Sequence, residues 1–195
     1  VHALPAADYF AHPALSVSRA SRLLQITPRR WKAEGEEPPR ESDAFDFGTV
    51  VHQLVLRDVE AVEIIDAPDR RTKAVKEAFA AARAAGVIPL LRKDYARADV
   101  MARALRDNGT AFSCFSAGVP EQTMLWRDAE TNLPLQARLD WLPDSGRIFA
   151  DYKTADSLAE DDLRKAVLNH GLHRRAAWYV DGLRRLSHGI ADADV

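Results

Sequence analysis

Residues 135–153 read LQARLDWLPDSGRIFADYK. Leu135, Ala137, Leu139 and Trp141 alternate with Gln136, Arg138 and Asp140, the period of two of a half-buried strand. Pro143-Asp144-Ser145-Gly146 is a turn signal. A second run follows, with Ile148, Ala150 and Tyr152 on one face and Phe149, Asp151 and Lys153 on the other. Two such runs about a short turn predict a β-hairpin. Paired about residues 144 and 145, Asp140 faces Phe149 and has Asp151 as its diagonal neighbour, roughly 7–8 Å away or less. A register shift of two sets Asp140 directly opposite Asp151. In either register both carboxylates and Lys153 share a face. Carboxylates held this close repel, and burying them unpaired is costly. A divalent cation such as Mg²⁺ or Mn²⁺, which takes oxygen ligands and keeps waters, relieves the conflict. A lysine on the same face can then meet a metal-bound water or a phosphate oxygen, an outfit for metal-assisted phosphodiester hydrolysis. The plainer reading is a solvated cross-strand salt bridge, and the hairpin alone does not choose between them.

The rest of the composition sets bounds. A chain of 195 residues, 47% hydrophobic and 29% charged, suits one soluble α/β domain, or one domain with a helical appendage. No apolar run approaches the roughly 20 residues that span a membrane, and no cationic-apolar signal peptide opens the chain. The first residue, Val1, suggests a processed end, a trimmed chain or a fragment. A single cysteine, Cys114, excludes disulfide scaffolds, cysteine-rich zinc sites and iron–sulfur clusters within this chain and fits the cytoplasm. Its setting, AFSCFSAG, predicts a buried thiol. A net charge of −2 does not announce nucleic acid, yet local basic patches beside clustered carboxylates give the same balance.

Taken in order, residues 1–15 read as an irregular lead-in. Ser16 or Ser18 can cap a helix to about residue 26 with Leu23 and Leu24 inward, and Pro28 ends it in a short turn. Residues 34–43 read as a charged loop. Residues 44–56, AFDFGTVVHQLVL, form an apolar helix with Phe47, Val51, Leu54 and Val55 as its stripe. Gly48 inside it costs about 1 kcal/mol relative to alanine, and such a glycine usually admits a close neighbour. His52 lies one turn on; it is a hydrogen-bonded core residue or a ligand. Residues 62–66 read as a strand, 72–85 as a helix ended by Gly86, and Ile88-Pro89-Leu90-Leu91 as a crossing to a helix at 94–107. The basic run 70–76 reads as a solvated face. Residues 121–127 predict a strand paired with 135–142, with Glu121 at its start. Residues 154–157 cap a helix at 158–168. A last helix, 172–187, carries Arg174, Arg175, Tyr179, Arg184 and Arg185; it is a DNA-facing helix, since arginine suits phosphate, or an amphipathic surface helix. The sequence has no GxxxxGK loop, GxGxxG turn, G-x-S-x-G elbow, HExxH or EF-hand loop, which argues against nucleotide hydrolases, dinucleotide enzymes, serine hydrolases and zincins.

These pieces stand in a particular order: SVSRASRLLQITP, FGTVVHQLVL, Pro89-Leu90 with Tyr95, GVPE ending at Glu121, ARLDWL, an eleven-residue step from Asp140 to Asp151, DYKT and AAWYVDGL. Over residues 9–183 this order resembles the phage-type exodeoxyribonuclease VIII (RecE-like) nucleases of the PD-(D/E)xK superfamily. The resemblance implies a single nuclease domain over 1–195, with a lead-in at 1–43 and a core at 44–195. It implies an α/β restriction-endonuclease-like core, a central mixed sheet flanked by helices. His52, Asp140 and Asp151 match the family's metal ligands, Lys153 its catalytic lysine, and Glu121 an acidic position near the metal. Ser18, Arg174, Arg175 and Tyr179 fall where DNA contacts are expected; Arg175 stands where the family commonly has glutamine. Mg²⁺ is implied as cofactor, or Mn²⁺, which accepts imidazole more comfortably. The implied activity is 5′-to-3′ degradation of linear double-stranded DNA from its ends, leaving single strands for recombination. A single-strand annealing protein and a homo-oligomeric ring are implied as partners, with no membrane. The family continues with further strands after the last helix, so a truncated C-terminus is expected here. Two rival readings stand beside this one: a non-catalytic DNA-binding scaffold that kept the fold, and an endonuclease of the same superfamily.

Overall fold

The computed structural model describes residues 4–36, 42–56, 61–115, 117–145 and 149–187. They form an α/β fold with a mixed three-stranded sheet, a two-stranded parallel sheet and flanking helices. The chain divides into two compact units: residues 1–39, 121–142 and 155–195 contribute to the first, and residues 40–120 and 143–154 to the second.

The three-stranded sheet has the order β1 (Leu15–Ser16), β5 (Pro134–Pro143), β4 (Gly118–Arg127). β1 runs parallel to β5, with Leu15 opposite Leu135 and Ser16 opposite Gln136. β4 and β5 are joined through a tight turn, in which Thr131 donates from its backbone N and its Oγ1 to Asp128 Oδ1. Asp128 N closes the turn on Leu133 O, and Asn132 takes the left-handed conformation at φ 56°. Those Thr131 hydrogen bonds hold the Asp128 carboxyl below its ordinary range. A connection this short makes the two strands antiparallel, so the sheet is mixed. Leu135, Ala137 and Leu139 are buried as the alternation predicts, but Gln136 between them is buried as well and Trp141 is half-buried.

Helix α9 (Leu172–Ser187) docks on this sheet through a few particular atoms. Trp178 Nε1 donates to Gln136 O at 3.0 Å, and Trp126 Nε1 to Asp181 Oδ2 at 3.2 Å. Gly182 lies against the Trp126 ring, where a Cβ would stand 3.0 Å from the indole. The same unit also holds the helices α1 (Ala6–Ala11), α2 (Val17–Leu23), α3 (Pro28–Glu36) and α8 (Glu160–Asn169). Ser16 caps α2, its Oγ accepting from Arg19 N. Trp31 Nε1 donates to Arg19 O at 2.7 Å while the Arg19 guanidinium lies 4.0 Å over the Trp31 ring, which locks α3 to α2.

In the second unit, α4 (Asp43–Leu56) packs along α6 (Arg92–Asp107). Val50, Val51, Val55 and Leu56 of α4 are buried, and on α6 the buried positions are Ala98 and Ala102, one turn apart and small enough for close approach. Arg106 Nη1 caps α4 by donating to Leu54 O at 2.9 Å. β2 (Val62–Ile65) and β3 (Ile88–Leu91) pair in parallel through the crossover helix α5 (Lys73–Ala84), whose N-cap Thr72 accepts from Val75 N. α7 (Gly109–Phe112) and a 3₁₀ turn lead into β4. Cys114 in that turn is half-buried rather than buried.

Several sequence expectations are corrected. Residues 149–153 do not form the second strand of a hairpin with 135–142; among them only Ala150 makes a β-bridge. β5 instead has β4 on one edge, and β1 pairs with Leu135 and Gln136 at the start of the other. Ile148 and Gly146 lie outside the described residues. The lead-in holds α1 and β1. Pro28 opens a helix, the first-turn position where its missing N–H costs nothing. Leu23 and Leu24 are exposed rather than inward, Leu24 at 79%, where α2 ends with Leu24 as its C-cap. Residues 88–91 are a strand. Of the loop read at 34–43, residues 34–36 instead end α3 and residue 43 opens α4, while residues 37–41 lie outside the described residues.

Candidate functional site

The residues singled out for metal chemistry divide between the two units. His52, Asp151 and Lys153 belong to the second, Glu121 and Asp140 to the first. In the second unit, Lys153 Nζ stands 2.9 Å from Asp151 Oδ2 and donates to Tyr152 O at 2.9 Å. The Asp151 side chain is only 19% exposed, so its charge is largely shielded from bulk water and interacts more strongly with neighbouring cations. The next residue fixes where this segment lies: Thr154 Oγ1 is 3.8 Å from the point where a Cβ on Gly48 would sit. The segment therefore rests on α4 at Gly48, one helical turn before the half-buried His52. The glycine read as an opening for a close neighbour has one. Tyr152, between the two charges, has its phenol pushed up by burial.

In the first unit, Glu121 takes φ 53° within β4. A non-glycine residue there costs of order 1 kcal/mol and persists only when its surroundings demand it. Its carboxylate makes an ion pair with Arg138, two residues before Asp140 on the neighbouring strand. Arg138 also donates from Nη1 to Leu4 O at 2.8 Å and lies 5.8 Å from the Tyr9 ring. The Tyr9 phenol is pushed up by burial, against the opposing pull of Arg138 and Arg175. Asp140 is half-buried near the end of β5.

Among the described residues no group of three or more His, Cys, Asp or Glu side chains is gathered closely enough to hold a metal ion. The structure brings Asp151 to Lys153 and their segment to the His52 helix. As donor types, the carboxylate oxygens of Asp151 and Asp140 and the imidazole of His52 suit Mg²⁺ or Mn²⁺.

The residues read as DNA contacts sort differently. Ser18, Arg174 and Arg175 line one cleft of about 180 Å³ between α2 and the turn joining α8 (Glu160–Asn169) to α9, together with Arg22 and His170. Tyr179 is buried, 6% exposed, and faces the interior. Sequence reading missed Arg22, whose signal was available: it stands four residues after Ser18, on the same face of α2. Arg22 is held by Glu34 of α3 in a two-pronged pair, Nε to Oε2 at 2.8 Å and Nη2 to Oε1 at 2.7 Å. No helix among the described residues is long and apolar enough to cross a membrane.

A family model described as a PDDEXK-like domain of unknown function (DUF3799) matches residues 16–188. That span contains every residue discussed above as a ligand, catalyst or DNA contact. No curated protein matches the chain.

Proposed function

The chain belongs to the PDDEXK-like DUF3799 family, and from that premise we propose that it is a divalent-metal-dependent exodeoxyribonuclease acting on linear double-stranded DNA. Nuclease chemistry in general is what membership of a PDDEXK-like family suggests. Attack from DNA ends, 5′-to-3′ direction and a recombination role are the finer proposal, together with a single-strand annealing partner and a ring assembly. The observation that carries the reading is the Asp151–Lys153 pair, 2.9 Å apart on a segment seated against the His52 helix.

In this proposal His52, Asp140 and Asp151 hold the ion. When bound, the ion supplies Lewis-acid polarisation of the phosphate and stabilises the developing charge on the leaving oxygen. Asp151 lies in low exposure, where its charge is worth more toward a cation than in open water. Lys153 Nζ, a compact point charge with three donors, hydrogen-bonds the attacking water and aligns it with the phosphorus. Asp151 Oδ2, 2.9 Å from it, and Tyr152 O, which accepts from it, help fix where that ammonium stands. Glu121 acts beside the ligands from β4, aimed by Arg138. Phosphate contacts from arginine give affinity without sequence preference, as an end-degrading enzyme requires.

The test is cleavage of linear and covalently closed circular duplex with Mg²⁺, with Mn²⁺ and with chelator. The expected outcome is loss of the linear substrate only, abolished by chelator and reduced about 10²–10⁴-fold in Asp151→Asn, Asp140→Asn and Lys153→Ala. Cutting of the circle makes the protein an endonuclease. Failure to cleave any duplex with either ion makes it a DNA-binding scaffold.

A further inference from the structure

We infer that the cleft between α2 and the α8–α9 turn binds one phosphate group, and that Gly171 is the positioning residue that lets Arg174 serve it. The cleft stands on its own geometry; that its phosphate belongs to DNA rests on the nuclease reading.

Arg174 is the carrying observation. It has no carboxylate partner among the described residues, and its Nε is buried without a hydrogen-bond partner. A guanidinium is always charged and carries five donors in a fixed fork. Leaving such a donor buried and unsatisfied costs more than a made bond returns, so the site is built for an acceptor that brings negative charge. Arg175 and Arg22 line the same cavity, and Arg22 is paired with Glu34. Ser18 and Asn169 add neutral donors to the wall. The volume, about 180 Å³, falls below the roughly 300 Å³ at which whole small-molecule pockets begin. It suits a single oxyanion, and planar guanidinium forks favour phosphate geometry.

Gly171 shapes the floor. It is buried, at φ 62°, and a Cβ there would stand 2.6 Å from Arg174 Nη2 and 3.0 Å from its Cζ. The guanidinium occupies the space that any other side chain would need. Because the crowded atoms are the flexible end of a side chain, a Cβ would push Arg174 aside rather than break the fold. Asparagine tolerates the left-handed conformation, so Gly171→Asn separates the two effects.

The experiment is titration of the full chain with inorganic phosphate in chelator, read by calorimetry, with near-ultraviolet dichroism as the control for folding. We expect saturable binding, weakened about tenfold or more in Arg174→Ala and in Gly171→Asn, with the dichroism of both variants unchanged. Equal binding by wild type and Arg174→Ala overturns the site; wild-type binding by a folded Gly171→Asn overturns the positioning role. A linear duplex added without metal is expected to displace the phosphate. If phosphate binds at the cleft and duplex does not displace it, the DNA assignment falls. The assay needs no cleavage, so it stands or fails separately from Asp140, Asp151 and Lys153.

Discussion

Glu34 shows how much one side chain can settle at the residue scale. Two arginines hold it, Arg22 from α2 and Arg30 from one turn earlier on α3. Their hydrogen bonds, Arg22's foremost, bring its carboxyl from the ordinary 4.5 down to about 2. A depressed folded value means that the proton binds the unfolded chain more readily, so the pair's contribution is complete above about 4.5 and is lost as pH falls toward about 2. Glu34→Gln removes that contribution at every pH. Thermal midpoints of wild type and Glu34→Gln are therefore expected to differ at pH 6 and to converge as the pH is lowered through that window. A gap that stays constant down to pH 2 would mean that the clasp between α2 and α3 does not depend on the carboxylate. Glu121 is the contrasting case: its ion pair with Arg138 is bought at a left-handed backbone, the kind of local cost found where a side chain must point in one direction.

At the scale of elements, α9 is held by shape. The Trp126 ring lies flat against Gly182, with ring carbons 3.0–3.2 Å from where a Cβ would stand. Trp126 is fully buried and cannot give way, so Gly182→Ala is expected to destabilise by about 1–3 kcal/mol, measured by urea unfolding. An unchanged midpoint would show that α9 can shift along the sheet. α9 was also among the most legible elements, because its apolar spacing runs unbroken from Leu172 to Leu186 and Gly171 marks its start. The Thr72 cap of α5 and the alternation in β5 were equally plain. What the residues hid is what local pattern cannot hold. β1 is two residues long, too short for any period, yet it takes an edge of β5. Ile88-Pro89-Leu90-Leu91 contains a proline and no alternation, and only its parallel neighbour β2 identifies it as a strand. Of the site, Asp151 and Lys153 were singled out from the chain and Gly48 was read as admitting a close neighbour, but that Thr154 is that neighbour is not written in any local pattern. The cleft could not be assembled from it, because Arg22 and Arg174 are far apart in sequence and Glu34, which tempers one of them, lies on a third helix.

For the whole molecule, a net charge of −2 hides a segregation of sign. The cleft gathers Arg22, Arg174, Arg175 and His170, with Glu34 paired to Arg22. Duplex binding in chelator is thus expected to weaken with salt in spite of the acidic total, each neutralised phosphate contributing a slope of about 0.9 in log affinity against log salt. Arg174→Ala is expected to lower that slope by about one, while Lys73→Ala, on an exposed residue already facing Glu77, leaves it unchanged. Equal slopes for wild type and Arg174→Ala would place the DNA elsewhere. The packing that seats α9 has one more consequence. The indoles of Trp126 and Trp178 are 5.9 Å apart and inclined at 67°, a separation and angle at which two chromophores share their excited states. The protein thus carries a built-in optical gauge: an exciton couplet in the ultraviolet, present while the last helix keeps its seat and gone when it leaves.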